Sequence, residues 1–266
     1  MIVAGCDVGS TTGKAVIMKD HAIASYVIMW CKPKPEETAY LAINEAMGKI
    51  GMSSLEDLDY IVGTGYGRLK IPFANDNISE ITCHGVGAYW LSNTVRTVID
   101  IGGQDLKVIG LDDNGRVVDF IMNDKCAAGT GRFLENMART LGLTLERLST
   151  ISLEAKKEVV ISSQCSVFAE SEVITLLNEG EEIADIAYGI HASIASRLLT
   201  LVRRVGMKED ITLAGGCAKN VGLIDVLEKK LGTGIRRLPE DPQIIGAIGA
   251  AILAQEKLRR ATSATA

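Results

Sequence analysis

The chain has 266 residues, 47% hydrophobic and 23% charged, enough for a large core in one large domain or two medium ones. A formal net charge of −5 with no basic run provides no long-range attraction for nucleic acid or anionic lipid. No apolar stretch approaches the roughly 18 residues that would suggest a bilayer span, and the short apolar start lacks the layout of a signal peptide, so a cytoplasmic location is expected.

The first apolar run, residues 2–6, and the next, residues 15–18, flank the polar turn Asp7-Val8-Gly9-Ser10-Thr11-Thr12-Gly13, which reads as a hairpin with a polar tip. A helix is expected over residues 38–50, where Ala39, Ile43, Ala46, Met47 and Ile50 recur at helical spacing. A strand at residues 60–62 then runs into Gly63-Thr64-Gly65-Tyr66-Gly67. From Thr97 the hairpin pattern restarts: Asp100, Gly102, Gly103, Gln104 and Asp105 lie between the apolar runs around residues 98–101 and 106–109. Two such hairpins imply an internal duplication. Helices follow at about residues 131–141, 166–178 and 183–205, then a strand at 211–214 before Gly215-Gly216, and a last helix over about 244–258. This alternation predicts an α/β protein. One lobe spans residues 1–96 plus the C-terminal helix at about 244–260, and a second spans residues 97–243.

Asp7 and Asp100 each follow a strand and precede a glycine, so in a two-lobed fold they are suited to hold a hydrated Mg²⁺. Ser10, Thr11, Thr12 and Lys14, with the backbone at Gly9, offer donors to phosphate, and Gly102 and Gly103 permit close backbone approach. Gln104 or Asp105 is placed to orient a water. The bland alternative for either Asp-x-Gly turn is a tight reversal with no ligand. Residues 9–15 lack the spacing of a P-loop, and residues 63–67 lack that of a dinucleotide fold. Gly215, Gly216, Lys219 and Asn220, between a strand and a helix, are candidates to meet a nucleoside. In this order, with Gly246 in the closing helix, the elements resemble the actin, sugar-kinase and heat-shock ATPase superfamily. That resemblance implies a two-lobed actin-like fold with duplicated ribonuclease-H-like domains that binds ATP or ADP.

Six cysteines are scattered without a CxxC pair, which argues against a zinc ribbon or a disulfide scaffold. Cys126 stands just ahead of an expected helix, followed by Gly129, Thr130 and Gly131, and Cys165 follows Ser162, Ser163 and Gln164 ahead of another. A helix start favours a thiolate, so both residues read either as metal ligands or as core sulfhydryls. Cys6, Cys31, Cys83 with His84, Cys217, His21 and His191 read as structural or surface residues.

The segments NDKCAAGTGRF and CSVFAESEV resemble the cluster segments of the activator proteins of 2-hydroxyacyl-CoA dehydratases. DVGSTTGKAVI, GTGYGR, ITCHGVGA, VIDIGGQDLKVI and GAIGAAI extend the likeness over essentially the whole chain. Cys217, Lys219 and residues 236–243 depart from the family pattern. The resemblance implies a homodimer in which Cys126 and Cys165 of each chain hold one 4Fe-4S cluster. It also implies an ATPase, oxygen-sensitive and suited to anaerobic metabolism, that takes an electron from a ferredoxin or flavodoxin. The electron passes on to an acceptor iron–sulfur enzyme: a dehydratase, a double-cubane-cluster protein or a benzoyl-CoA reductase. Two rivals stand beside it, a small-molecule kinase with Asp105 as base and a nucleotide-dependent polymerising scaffold.

Overall fold

The computed structural model describes residues 1–162 and 165–264. In chain order the elements are β1 (Ile2–Val8), β2 (Thr12–Lys19), β3 (Ala22–Trp30), α1 (Pro35–Gly48), β4 (Tyr60–Thr64), β5 (Asp76–Asn77), α2 (Glu80–Leu91), β6 (Thr97–Ile101), β7 (Leu106–Leu111), β8 (Val117–Asn123), α3 (Gly131–Thr140), α4 (Leu145–Ile151), α5 (Ser166–Asn178), α6 (Ile183–Val205), β9 (Ile211–Ala214), α7 (Val221–Leu231), β10 (Ile235–Arg236) and α8 (Ile245–Ala264). The strands form two five-stranded sheets, ordered β3-β2-β1-β4-β5 and β10-β9-β6-β7-β8. The chain divides into two compact units. One comprises Met1–Val98, Ile109–Asp119 and Leu238–Ala266, the other Ile99–Val108 and Phe120–Arg237.

In the first unit β1 is antiparallel to β2 and parallel to β4, in a register that sets Asp7 opposite Lys14 on one side and Thr64 on the other. Every residue of β1 after Ile2 is buried, whether it points up or down. Continuous burial of this kind marks a strand covered on both faces. α1 packs on β1, β2 and β3, while α8 packs on β1, β2 and β4. α1 opens on Pro35 with Glu36 and Glu37 in its first turn, where the fixed ring and the acidic side chains suit an N-terminus. Its buried stripe is Thr38, Ala39, Ala42, Ile43, Ala46 and Met47, at helical spacing.

α8 is seated by glycines. A Cβ on Gly5 of β1 would lie 2.0 Å from the Ala247 carbonyl oxygen, and one on Gly249 would lie 1.8 Å from that of Cys83 in α2. Backbone thus meets backbone where a side chain would hold the elements apart.

The second unit has its own core, in which Ile99, Ile101, Leu106 and Val108 of the sheet meet Phe133, Leu134, Met137, Ile186, Ile190, Leu198, Leu223 and Leu227 from the helices. The sequence-based reading anticipated the two hairpins, β9 and most of the helices. It passed over β3, α2, β8 and α4, whose patterns are less regular; β8, for example, has only half-buried or exposed residues.

Gly249→Ala is expected to lower thermal stability clearly. Over-packing at a tight contact costs about 1–3 kcal/mol or more, and the neighbour here is backbone that cannot rotate away. Circular dichroism melting checks this; an unchanged melting temperature would show that α2 and α8 separate freely.

Candidate functional site

Both hairpin tips are built the same way. In the first, Gly9 N–H donates to the Thr12 carbonyl at 3.1 Å, and Lys14 Nζ pairs with Asp7 Oδ2 at 3.2 Å. In the second, Gly102 N–H donates to the Asp105 carbonyl at 3.0 Å, and Lys107 Nζ pairs with Asp100 Oδ2 at 3.2 Å. Each tip therefore rests on a carboxylate bound to a lysine seven residues later. Asp7 and Asp100 are 3% and 4% exposed, and so little contact with water makes an opposite charge necessary if they are to remain ionised.

The hairpins differ at one position. Where the first has Thr12, the second has Asp105, whose Oδ2 lies 2.8 Å from Lys107 Nζ. A Cβ on Gly102 would lie 2.2 Å from Asp105 Oδ1, so this carboxylate is folded back over the turn. Lys107, itself 3% exposed, thus bridges two carboxylates, and loss of one partner from such a buried group typically costs about 3–5 kcal/mol. Gln104 beside it is exposed. Sequence reasoning missed Lys107. The signal was present as the shared spacing of DVGSTTGK and DIGGQDLK, which align aspartate with aspartate and lysine with lysine.

The surroundings of the tips suit an oxygen-rich anion. Thr11 Oγ1 is buried and, among the described residues, has no hydrogen-bond partner. A buried hydroxyl left in that state favours a ligand that supplies one. Ser10 and Thr12 flank it, half-buried. A Cβ on Gly246, at the start of α8, would lie 3.3 Å from Asp7 Oδ2 and 2.9 Å from His84 Cε1, so this glycine stands beside the first carboxylate. Gly215, at φ +83°, stands beside the second: its Cβ would lie 2.8 Å from Asp100 Oδ1. Gly216 and Lys219 belong to the short 3₁₀ turn Gly216–Lys219 and are exposed. Each carboxylate taken singly is of the kind that meets a hydrated Mg²⁺, an ion usually held by one or two carboxylates together with phosphate oxygens and water.

Asn220 has a different occupation. Its Oδ1 accepts from Leu223 N–H at 2.8 Å as the cap of α7, and its Nδ2 bonds His191 Nε2 at 3.1 Å. The side chain therefore ties the turn to α6. Burial pushes the His191 imidazole down to about 4, which keeps it neutral.

The thiols fall into two groups. Cys6, Cys83 and Cys217 are buried. Burial raises all three, Cys83 and Cys217 to about 12, so they are inert core sulfhydryls. Cys31 is half-buried, and its Sγ donates to the Gly9 carbonyl at 3.3 Å. Cys165 is exposed and is the N-cap residue of α5, with no side-chain capping bond and no acidic residue in the first turn. Ser163 and Gln164 just ahead of it lie outside the described residues. Val160, Val167 and Phe168, close to Cys165 in the sequence, are 76%, 65% and 66% exposed, an unusual amount of apolar surface.

Cys126 requires a correction. α3 begins at Gly131, where the sequence placed it, with Thr130 as its N-cap, so Cys126 lies four residues ahead of the cap and not at the helix start. Gly129 at φ +93° turns the chain in between. Cys126 sits half-buried in a short loop, its carbonyl accepting from Asn123 Nδ2 at 3.1 Å. That loop is bonded to the second hairpin. Gly131 N–H donates to Gly102 O and Arg132 N–H to Gly103 O, both at 2.9 Å, while Thr130 Oγ1 donates to Ala127 O at 2.6 Å. Among the described residues no group of three or more His, Cys, Asp or Glu could hold a metal within one chain. No described helix is long and apolar enough to cross a membrane.

Residues 4–254 match the model of the BadF/BadG/BcrA/BcrD ATPase family. The activator of lactoyl-CoA dehydratase from Anaerotignum propionicum is 45% identical over 98% of this chain and 100% of its own. Component A of the (R)-2-hydroxyglutaryl-CoA dehydratase of Acidaminococcus fermentans is 42% identical with a TM-score of 0.92, covering 97% of this chain and 99% of that one. The activator of the 2-hydroxyisocaproyl-CoA dehydratase from Clostridium difficile, solved with bound ADPNP, is 41% identical with a TM-score of 0.92, covering 99% and 97%.

Acid should unfold the protein partly through His191. Its folded value lies below the ordinary 6.5, so the unfolded chain binds the extra proton and stability falls as pH drops from about 6.5 towards 4. Denaturant titrations of the wild type and of His191→Leu across that window should show a shallower pH slope in the variant; equal slopes would remove the histidine from the account.

Proposed function

Because the chain belongs to the BadF/BadG/BcrA/BcrD ATPase family and is an ATPase with the actin-like fold, we propose that it spends ATP to activate a 2-hydroxyacyl-CoA dehydratase by delivering an electron. The observation that carries this reading is the hydrogen-bonded continuity from the second phosphate hairpin to the Cys126 loop. Gly102 and Gly103 hold the first turn of α3, and Thr130 in turn holds Ala127, next to Cys126. A phosphate that moves Gly102 and Gly103 must move the loop as well, because both share one set of backbone bonds.

Cys126 is half-buried and Cys165 exposed, each just ahead of a helix of the second unit, and a pair per chain is half of the ligand set of a cubane cluster. We assign them as ligands to one 4Fe-4S cluster completed by a second copy of the chain. The exposed apolar side chains beside Cys165 suit burial against that copy. When bound, the cluster supplies one-electron chemistry, and a ferredoxin or flavodoxin serves as donor. The chain's own part is to bind the nucleotide. Ser10, Thr11, Thr12 and Lys14 offer donors to phosphate at the first hairpin, Asp7 and Asp100 are each suited to a hydrated cation, and exposed Gln104 orients the attacking water. Asp105, bound to Lys107, is badly placed to serve as the base that a sugar-kinase reading requires.

Cys126→Ser and Cys165→Ser, purified without air, should each lose the iron, about four atoms per pair of chains, yet keep native circular dichroism and nucleotide affinity. Full iron content in either variant would overturn the ligand assignment. Coupling is checked separately: an iron chelator should strip the protein much faster with Mg²⁺-ATP than with Mg²⁺-ADP. Equal rates at saturation with both nucleotides would break the proposed link between the hairpin and the thiols.

A further inference from the structure

We infer that Lys107 is a positioning residue of the nucleotide site, acting as a built-in cation that holds Asp105 away from the nucleotide and moderates the charge that Asp100 presents to the divalent ion. This rests on the reading that the second hairpin binds phosphate.

The argument starts from the difference between the hairpins. At the first, Lys14 faces one carboxylate, Asp7, and its side chain is 12% exposed. At the second, the lysine faces two, and its side chain is 4% exposed. An ammonium so enclosed cannot reach outward to phosphate in the way Lys14 can. Its influence passes through Asp100 and Asp105. The three groups sum to one negative charge; without the ammonium they would carry two, beside Gly102, Gly103 and Gly215, where the backbone is bare of side chains. A divalent cation would gain from that extra charge, and a phosphate would be repelled by it. Asp105, released, would be free to swing out beside Gln104. Lys107 therefore keeps the site weak towards metal alone and receptive to nucleotide, so that the cation arrives chiefly with its phosphates.

The sign of this effect separates it from a scaffold role. In Lys107→Met, Mn²⁺ bound to nucleotide-free protein, followed by electron paramagnetic resonance, should bind more tightly, by roughly tenfold for one charge removed at short range. Binding of metal-free ADP, followed by calorimetry, should weaken by a similar factor. Lys107→Arg, which keeps the charge, should move both less. Lys107→Met combined with Asp105→Asn restores the net charge, and both affinities should return towards wild type; it also serves if the single variant is poorly folded. A single variant that weakens both ligands, or neither, overturns the inference, as does a double variant no better than the single one. The wild-type protein tests the underlying reading independently. If it binds ADP and the Lys107 variants show no opposed change, only the role of Lys107 falls; if it binds no nucleotide, both fall.

Discussion

A carboxylate buried at the end of a strand calls for a cation beside it, and in this protein that requirement shapes both Asp-Gly hairpins. The antiparallel register sets Asp7 opposite Lys14, so the partner for the charge comes from the returning strand. Val8 still pairs with Gly13, so residues 9–12 make the reversal, closed by the bond from Gly9 to Thr12. The second hairpin repeats the spacing with Asp100 and Lys107. Tip length, the glycine beside each aspartate and the inward aim of the lysines all follow from pairing one buried charge with another.

The pairing also explains why glycines gather around the two aspartates. Gly246 approaches Asp7, and Gly102 and Gly215 approach the Asp105 and Asp100 carboxylates. Side chains there would press on groups whose positions are set by ion pairs. Further out, α8 is brought onto β1 and α2 through Gly5 and Gly249, so the helix that carries Gly246 is located by backbone contact. Its placement is accordingly stiff, as a residue at the edge of a binding site requires.

Among the cysteines, burial separates chemistry from packing. Three thiols sit in the core, where loss of hydration keeps them protonated, while Cys165 opens α5 at the surface among exposed apolar side chains. Cys126 is reached by a different route, through a loop bonded to α3 and thereby to the second hairpin. One thiol is thus set at a helix end and the other in a loop braced by the phosphate hairpin.

The sequence by itself determined the α/β class, both hairpins, most of the helices and, through its motif resemblance, the family, because strand and helix periods and Asp-Gly turns are local patterns. It did not determine that Asp105 faces Lys107, or that Asn220 is occupied by α7 and His191. Those depend on which way a side chain turns once burial removes its water and, for Asn220 and His191, on packing two segments far apart in the chain. A carboxylate in a turn reads alike whether it faces water or an ammonium, and only the packed structure, by removing the water, decides which.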